Sequence, residues 1–524
     1  MVYLTFYDGN QCIGGNKILL EDGDVALFLD FGTSFKTEGM FFDGFLGPRQ
    51  VLGLNDLFAL GLLPPLRGLY RTDLECPGLW TNFSESPYYR ELEVQAVLLS
   101  HAHLDHCGYL SYVSPEIPIY TSLTTALICK ALQDTGSGNR LQEICYVAPR
   151  ELKEGLLRTI HYRRAPYQQR SYFVFGSCNG AHINQAFAFW KRCYGSRDLD
   201  YKPLQICDQE EDISGVKVRF WPVDHSIPGA VAFGVKTSAG WVVYTGDFRA
   251  HGRRAHLTRS FIKELAALNP RVLICEGTHP GTERPITEGE VFANSLEVVE
   301  NADGLVVADF GPRNVERLLS FLEIAQKTGR QLVLTAKDVY LLDALRSAGE
   351  MGVPDPFSEE QIALYVKPKG VTAPWETALL ERFSAVCRER MVDAAKVRAD
   401  QGSFIMCFSY YDFPALLDVS PDGGTYIYSS SEAFDEEMLL DHERIRNWIN
   451  YFGFELYGTL GRDREKCGFH ASGHIHGPGI EELVETVRPE ILIPVHTEDH
   501  QFFYRFQAIC RVIFPDKGRR ISID

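Results

Sequence analysis

The chain has 524 residues, 45% of them hydrophobic and 23% charged, which is ordinary globular composition in a chain longer than one hydrophobic core usually organises. We therefore expect two domains, or one domain with a large insertion. The net charge of −17 excludes the global basic field of a protein that coats nucleic acid, so a polyanionic partner would need a local basic groove or bound cations.

Targeting signals and disulfide patterns are missing from the sequence. Residues 1–17 show no basic segment followed by an apolar one, and no run of about 18 or more uncharged apolar residues occurs. The 13 cysteines are scattered singly, without a CxxC pair. We expect reduced thiols, a cytoplasmic location and no membrane partner.

Short apolar segments dominate the first half of the chain and predict a largely β structure. Each segment is bounded by turn-forming residues, as strands usually are. The predicted strands are residues 2–6, 17–20, 25–30, 94–100, 216–221, 230–236, 241–245 and 271–275.

From about residue 290 the pattern changes to alternating strands and helices, which indicates a small parallel sheet with helices on its faces. Strands are predicted at residues 305–309, 332–335, 404–410 and 425–429, and helices at 313–328, 338–348 and 375–399. After about residue 465 the sequence returns to loops rich in histidine and glycine, with a helix near 480–486 and a strand at 491–495.

The sequence HAHLDH, residues 101–106, directly follows the apolar strand that ends near Ser100. Side chains leaving a strand end through a tight loop can converge on one point, whereas a helix would splay them around its circumference. His101, His103, Asp105 and His106 are residue types that suit zinc or manganese. The six-residue pattern therefore predicts a metal site.

Further ligands are needed, because a catalytic metal takes about three protein ligands and a two-metal site takes more. His225, Asp247 and His496 each follow an apolar strand. Their shared context predicts that all three lie on the same rim as the first cluster.

These residues together resemble the metallo-β-lactamase fold and, within it, the β-CASP nuclease branch. Asp30 in LFLDFG matches the first, supporting motif of that superfamily. By the resemblance, one metal is held by His101, His103 and His225 and a second by Asp105, His106 and His496, with Asp247 bridging both.

The β-CASP branch adds an acidic residue at a strand end, matched by Glu276, and a histidine before the last ligand, matched by His474 at a spacing of 22. FGPRN, residues 310–314, is similar to a segment early in the family's insertion. The implied fold is an α/β metallo-β-lactamase αββα sandwich with an inserted, Rossmann-like β-CASP domain. We expect residues 1–285 and 466–524 to form the sandwich and 286–465 the insertion.

HASGH, residues 470–474, is more similar to the motif of ribonuclease J relatives than to those of eukaryotic messenger-RNA cleavage factors. By that resemblance Ser472, Gly473 and His470 bind a substrate phosphate, although a plain turn is the alternative. Two departures stand out. Only 28 residues follow His496, too few for the assembly domain typical of ribonuclease J, and His225 lies 119 positions after His106. Tetramerisation through such a domain is not expected, and a homodimer stays open.

Residues 161–176, HYRRAPYQQRSYFVFG, interleave arginines with aromatic residues. Arg163, Arg164 and Arg170 could neutralise phosphates while rings stack on bases. Equally, FVFG could be a buried strand and the tyrosines packing groups. The remaining histidines, among them His251, carry no motif, and we expect surface or locally hydrogen-bonded positions for them.

The resemblance implies a metal-dependent phosphodiesterase that cleaves single-stranded RNA, as a 5′ exonuclease, an endonuclease or both, through hydroxide activated by two divalent metals. Zinc is favoured and manganese is the alternative. Asp247, Glu276 and His474 are the catalytic candidates, with His474 as general acid oriented by Glu276. A DNA nuclease, a small-molecule metallo-hydrolase and an inactive scaffold are the competing hypotheses.

Overall fold

Two large β-sheets, named the first and second sheets, face each other across a shared apolar core. The computed structural model describes residues 1–43, 45–136, 142–176, 180–431, 436–461 and 468–524. In spatial order the first sheet contains Gln205–Cys207, Tyr172–Phe175, Ile119–Ser122, Ala96–Leu98, Val25–Leu29, Lys17–Asp22, Val2–Asp8 and Arg520–Ser522. The second contains Glu210–Ile213, Val216–Pro222, Val231–Thr237, Gly240–Tyr244, Val272–Glu276, Ile491–Val495 and Arg511–Val512.

Both sheets combine antiparallel and parallel pairs. In the first sheet Ala96–Leu98 runs parallel to Val25–Leu29, and in the second Val272–Glu276 runs parallel to both Gly240–Tyr244 and Ile491–Val495. Parallel strands present their carboxyl ends at one edge, which is where open sheets of this kind place ligand sites. The loops that leave these five strands therefore start from the ends at which a site is expected.

Alternate residues of the facing strands fill the core between the two sheets, as the two-residue period of a strand requires. Leu4 and Phe6 reach it from the first sheet, and Phe233 and Ile493 from the second. Helices cover the opposite faces. Leu123–Asp134 packs on the first sheet, while Ala255–Leu268 and Gly477–Val487 pack on the second. The result is four layers, helix, sheet, sheet and helix.

A third sheet is entirely parallel and has helices on both faces. Its strands, in spatial order, are Met391–Val392, Ile362–Tyr365, Gln331–Leu334, Phe404–Cys407, Val306–Asp309, Gly424–Tyr428 and Phe454–Tyr457. One apolar cluster joins it to the helices at 315–347, and another to those at 413–452. The strands are short, apolar and buried on both faces, as in other parallel sheets.

The remaining helices are mostly short in the two-sheet body and mostly longer around the third sheet. They are Phe35–Gly39, Asn55–Ala59, Leu79–Phe83, Leu104–Cys107, Gly180–Trp190, Glu288–Glu300, Val315–Thr328, Ala336–Ser347, Pro374–Cys387, Ala394–Ala399, Phe413–Val419 and Glu436–Phe452. In the described part of the chain, no helix combines the length and apolarity needed to cross a membrane.

The prediction of one helix over residues 375–399 is wrong. The helix ends at Cys387, the chain forms the strand Met391–Val392, and a second helix starts after Asp393. Arg390 causes the break, because its buried guanidinium donates to several backbone carbonyls, including that of Ile362 at 2.7 Å. Strand pairing and this anchor outweigh the helix propensity of the sequence.

The long stretch between His106 and His225 contains structure that the strand pattern did not predict. Leu123–Asp134 and Gly180–Trp190 are helices, and a small sheet joins Leu199–Asp200, Tyr167–Gln169 and Tyr146–Val147. The segment FVFG does form a buried strand, Tyr172–Phe175, so one of its two interpretations is confirmed.

The chain returns to the two-sheet body after the third sheet. Ile491–Val495 completes the second sheet, and Arg520–Ser522 pairs with Val2–Asp8 at the edge of the first. The strands of the third sheet all lie within the predicted range 286–465. The predicted boundary at 465 and 466 lies outside the described residues, and the domain division stays a prediction. The cysteines in the described part of the chain are free thiols.

Candidate metal centre

The predicted ligands meet at the rim where the two facing sheets expose their strand ends. His101 and His103 follow Ala96–Leu98, Asp247 follows Gly240–Tyr244, and His496 directly follows Val495. Asp30 and His496 turn the chain sharply, since both adopt left-handed backbone angles, with φ of 56° and 52°. Such angles are uncommon outside glycine and cluster at functional sites.

Three histidines form the first half of the cluster. The Nδ1 atom of His103 lies 3.0 Å from His101 Nε2 and 3.1 Å from His225 Nε2. His101 and His225 are fully buried. Three ring nitrogens that converge at these distances need either protons between them or a cation among them.

The protons of two of these rings are already used elsewhere. Ser100 gives its one hydroxyl proton to Asp30, at 2.7 Å, so the oxygen accepts from His101 Nδ1 at 3.0 Å. His225 Nδ1 donates to the Gly473 carbonyl at 2.5 Å. Both Nε2 atoms therefore present lone pairs to the centre of the cluster, which is the arrangement of a metal-binding imidazole.

The second half combines carboxylates and imidazoles. His106 Nε2 lies 3.1 Å from Asp247 Oδ2, and His496 Nε2 lies 3.2 Å from Asp105 Oδ2. Asp247 Oδ2 is also 3.5 Å from His496 Nε2 and 3.7 Å from His101 Nε2. The Asp247 carboxylate thus stands between the two groups of histidines.

Hydrogen bonds behind the second group fix the orientation of its rings. His106 Nδ1 donates to Asp30 at 2.7 Å. Thr278 gives its hydroxyl proton to Glu276 at 2.7 Å and accepts from His496 Nδ1 at 2.9 Å. In both histidines Nε2 is left to face the site. Outer hydrogen bonds of this kind select the tautomer and angle of metal ligands.

Charge is distributed unevenly over the cluster. Burial and the neighbouring histidines hold the pKa of His101 and His103 well below the usual range. Burial raises the pKa of Asp247, but His106, His496 and His474 outweigh it and lower that pKa well below normal. Neutral imidazoles thus line one half and an ionised carboxylate joins it to the other.

Buried polar atoms that lack hydrogen-bond partners indicate which ions the site could bind. In the described part of the chain, both oxygens of the buried Asp247 and the Nε2 of His106 have no hydrogen-bond partner. Burying an ionised, unpaired carboxylate is costly unless a cation compensates it. Nitrogen and carboxylate donors in two adjoining groups fit two divalent cations of the zinc or manganese type.

His474 and Glu276 lie beside the second group. His474 Nδ1 is 3.0 Å from Glu276 Oε2, and its side chain is 20% exposed. Burial lowers the pKa of His474, but the carboxylates of Glu276 and Asp247 outweigh it and raise the pKa to about 9. A cation bound at Asp247 would offset part of that carboxylate charge and bring the pKa down again.

A different ligand group, Asp247, Glu276, His474 and His496, also has its donor atoms close together. Glu276 is already engaged, however. Its Oε1 accepts from the Phe248 amide at 2.8 Å, and its Oε2 accepts from Thr278 and His474. Because both of its oxygens are engaged, Glu276 is better placed to orient His474 than to bind a metal.

The predicted phosphate-binding segment, residues 470–473, lies next to the cluster. The carbonyl of Gly473 orients His225, and an added Cβ at Gly473 would come within 2.7 Å of the Ser226 hydroxyl. Ser472 Oγ accepts from the His474 amide at 3.2 Å, and His470 Nδ1 is 3.3 Å from the Ser429 carbonyl. Their predicted phosphate contact stays a prediction.

The predicted arginine surface is not joined to this cluster. Arg164 pairs with Glu151 at 2.8 Å, and Arg163 packs over the ring of Tyr162. The expectation that Arg170 faces nucleic acid is wrong, because its side chain is fully buried and donates to the carbonyl of Val113 at 2.7 Å.

A buried ionic network behind the site escaped prediction. Arg249 donates to Glu288 at 3.0 Å, to Glu316 at 2.6 Å and to the carbonyl of Ser472 at 3.0 Å. His251 also donates to the Ser472 carbonyl, at 3.0 Å. Arg249 lies two residues after Asp247 in the sequence, but no local pattern connects it to partners nearly 40 and 70 residues away.

Glu288 extends the network into the third-sheet region. Its second oxygen accepts from Arg317 at 3.1 Å, and Arg317 also donates to the carbonyls of Ser429, at 2.7 Å, and Phe469, at 3.0 Å. Burial raises the pKa of Glu288, but Arg317 and Arg249 outweigh it and lower that pKa to about 2. One carboxylate thereby links the strand-end loops to both ends of segment 469–472.

Comparison with known proteins gives consistent relatives, although no family model matches. Ribonuclease J of Sinorhizobium meliloti is 26% identical over 415 residues, 77% of this chain and 58% of that protein. Ribonuclease J of Pyrococcus abyssi is 22% identical over 516 residues, covering 95% and 90%. The chain thus spans less than two thirds of the first relative's length and most of the second's.

A solved structure has the same fold. It is a protein of unknown function from Enterococcus faecalis V583, with a TM-score of 0.65, 20% identity and 99% coverage of both chains. Fold and site therefore define an α/β protein with a strand-end cluster of histidines and carboxylates suited to two cations. By sequence the chain is similar to these proteins named ribonuclease J.

We predict that Gly32→Ala disrupts the loop of metal-ligand candidates. The segment around Gly32 packs directly against that loop, and the Thr33 amide donates to the Leu104 carbonyl at 2.9 Å. A Cβ on Gly32 would lie 1.6 Å from the Asp105 carbonyl oxygen. The free energy of unfolding should fall by about 1–3 kcal/mol or more, as in other overpacked sites, measured by urea denaturation. Gly39→Ala, whose added Cβ meets no atom within 4 Å, should behave like wild type. Equal urea midpoints for the two variants would contradict this close packing of Gly32 against the loop.

We predict that Glu288→Gln destabilises the protein by about 3–5 kcal/mol, because it leaves two buried arginines without their shared carboxylate. Glu297→Gln, an exposed position on the same helix, should change stability by no more than about 0.5 kcal/mol. Urea unfolding of both variants checks this. A Glu288→Gln protein as stable as Glu297→Gln would mean that the network contributes nothing to stability.

Proposed function

We propose that the four-layer body is a metallo-β-lactamase αββα sandwich and that the third sheet belongs to an inserted β-CASP domain. The layer order, the strand-end ligands and the return of the chain after residue 468 to both sheets support this assignment. We keep the domain limits expected from the sequence, 1–285, 286–465 and 466–524.

We infer that the protein hydrolyses phosphodiester bonds of single-stranded RNA. The observation that carries this inference is the Asp247 carboxylate, buried between two sets of ligands and flanked by the His474–Glu276 pair. Relatives named ribonuclease J support RNA as the substrate. The third-sheet region together with the His474–Glu276 pair argues against a small-molecule hydrolase, and an inactive scaffold would have no chemical need for a full ligand set.

The residues that would hold the ions follow from the two groups. His101, His103 and His225 would bind one, and Asp105, His106 and His496 the other, with Asp247 shared. Two divalent cations, zinc by preference and manganese as the alternative, supply hydroxide at neutral pH and positive charge against the phosphate. Asp30, Ser100 and Thr278 keep the ligand nitrogens aimed at them.

His474 donates the proton that the departing 3′ oxygen requires. Its Nδ1 proton is held by Glu276, so the Nε2 proton is the one available to a leaving group. The Glu276 carboxylate raises the pKa of His474 and so favours the protonated ring. Glu276 acts through His474 and is therefore a positioning residue.

Ser472, Gly473 and His470 are proposed to hold a substrate phosphate, the 5′-terminal one in the exonuclease mode. The Ser472 oxygen accepts from the His474 amide, so its own proton is oriented away from that amide and can be donated to a phosphate oxygen. Because Gly473 has no side chain, its backbone can lie close to the ring of His225.

The decisive experiment compares 5′-monophosphate and 5′-hydroxyl forms of the same RNA and DNA strands, incubated with the purified protein and zinc or manganese. We expect cleavage of RNA, with products that reveal whether it starts at the 5′ end. Preferential cleavage of DNA would favour the DNA nuclease, and no cleavage of any strand would defeat the nuclease proposal.

We predict that His474→Ala lowers kcat by roughly 100-fold or more, in line with general-acid contributions, and leaves the bound metal content unchanged. His256→Ala, an exposed histidine on the outer helix Ala255–Leu268, serves as the control and should be fully active. Metal analysis together with single-turnover rates checks both statements. Loss of metal from His474→Ala would instead make His474 a ligand.

A further inference from the structure

A cavity of about 210 Å³ opens beside the loop of metal-ligand candidates, between the first sheet's helix layer and the third-sheet region. Leu104, which lies between His103 and Asp105 in sequence, forms part of its wall. Arg313 of the FGPRN motif and Lys337, in the first turn of helix Ala336–Ser347, line the opposite side. Neither residue has a role in the proposed chemistry so far.

Both cations lack a carboxylate partner within 4.0 Å in the described part of the chain. Arg313 is half-buried and donates from Nη1 to the carbonyl of Ala102 at 3.2 Å. Lys337 is exposed. The acidic group on the cavity wall, Asp338, is occupied, because it accepts from the amide and hydroxyl of Thr335 at 3.0 and 2.7 Å.

This lack of a carboxylate partner contrasts with two of the buried arginines elsewhere in the protein. Arg71 is paired with Asp73 and Glu143, and Arg249 with Glu288 and Glu316. In a chain with a net charge of −17, counter-charges are plentiful. Arg313 and Lys337 line one cavity whose acidic group, Asp338, is hydrogen-bonded to Thr335 and pairs with neither cation, so the two cations can serve as a site for an anion.

The position of the cavity beside the metal-ligand cluster indicates which anion it would bind. Arg313 contacts the backbone between His101 and His103. A strand whose scissile phosphate lies at the metal-ligand cluster would pass its neighbouring phosphates along this wall.

We propose that Arg313 and Lys337 form a phosphate subsite for a nucleotide flanking the scissile bond. The proposal rests on the nuclease function argued above and assigns it two further binding residues. Arginine, with its planar fork, would take two phosphate oxygens, and lysine would act as a point charge. The third-sheet region would then contribute directly to substrate binding, in addition to supporting the site from behind.

The test measures the affinity of metal-loaded protein for a fluorescent single-stranded RNA by anisotropy at several salt concentrations, in a His474→Ala background so that the strand survives. Arg313→Gln and Lys337→Gln should each weaken binding roughly tenfold, as the loss of one charge-assisted contact does. Each should reduce the slope of log affinity against log salt by about 0.7, the value for one phosphate on a single strand.

Controls separate the loss of a phosphate contact from other effects. Arg259→Gln removes an exposed cation from the outer helix Ala255–Leu268 and should leave the salt slope unchanged. Arg313→Lys should restore most of the slope, which a purely structural arginine would not do. Metal content is measured for every variant.

Two results would overturn the subsite. One is a salt slope in Arg313→Gln and Lys337→Gln equal to that of Arg259→Gln. The other is loss of metal in Arg313→Gln, which would show that the arginine acts by holding the Ala102 backbone. Failure of the nuclease proposal is seen separately, as absence of cleavage by the wild-type protein, whose RNA binding can then be titrated directly.

Discussion

The structure depends on one buried charge, the carboxylate of Asp247. It lies at the junction of two groups of histidines, and neither oxygen has a hydrogen-bond donor in the described part of the chain. A protein interior does not tolerate such a group without compensation. Hydrogen bonds with Ser100, Asp30, Thr278 and Gly473 turn the surrounding rings so that their free nitrogens can hold cations at that point. The fold serves this purpose by bringing strand ends from two sheets to one rim.

The third-sheet region is attached to this rim through charge as well as through packing. Glu288 and Glu316 meet Arg249 immediately behind Asp247, while Arg317 holds the carbonyl of Phe469. Segment 469–473 is thus supported from the third-sheet region, and Gly473 in turn orients His225. A change in helix packing in the third-sheet region would therefore alter the positions of the candidate ligands in the two-sheet body.

The sequence predicted which histidines and carboxylates meet at one rim, because each candidate ligand follows an apolar strand and strand ends converge by geometry. Clear alternation of strands and helices also predicted the third sheet and four of its described strands, but not Ile362–Tyr365, Met391–Val392 or Phe454–Tyr457. Prediction from the sequence failed where long-range contacts decide local structure, as at Arg390, which ends a helix by bonding carbonyls nearly 30 residues earlier. For the same reason it could not reveal the Arg249 network, nor distinguish the buried Arg170 from the exposed Arg163.

The pairing of Arg520–Ser522 with Val2–Asp8, and the place of Ile491–Val495 inside the second sheet, have a consequence for how the molecule is made. Contacts so distant in sequence form late, because a long loop must close before they are gained. The parallel third sheet is complete in sequence before His496 exists, so a growing chain can organise that sheet while the ligand cluster still lacks a member. A chain interrupted before residue 496 would have the histidines of the first group without the last candidate ligand of the second.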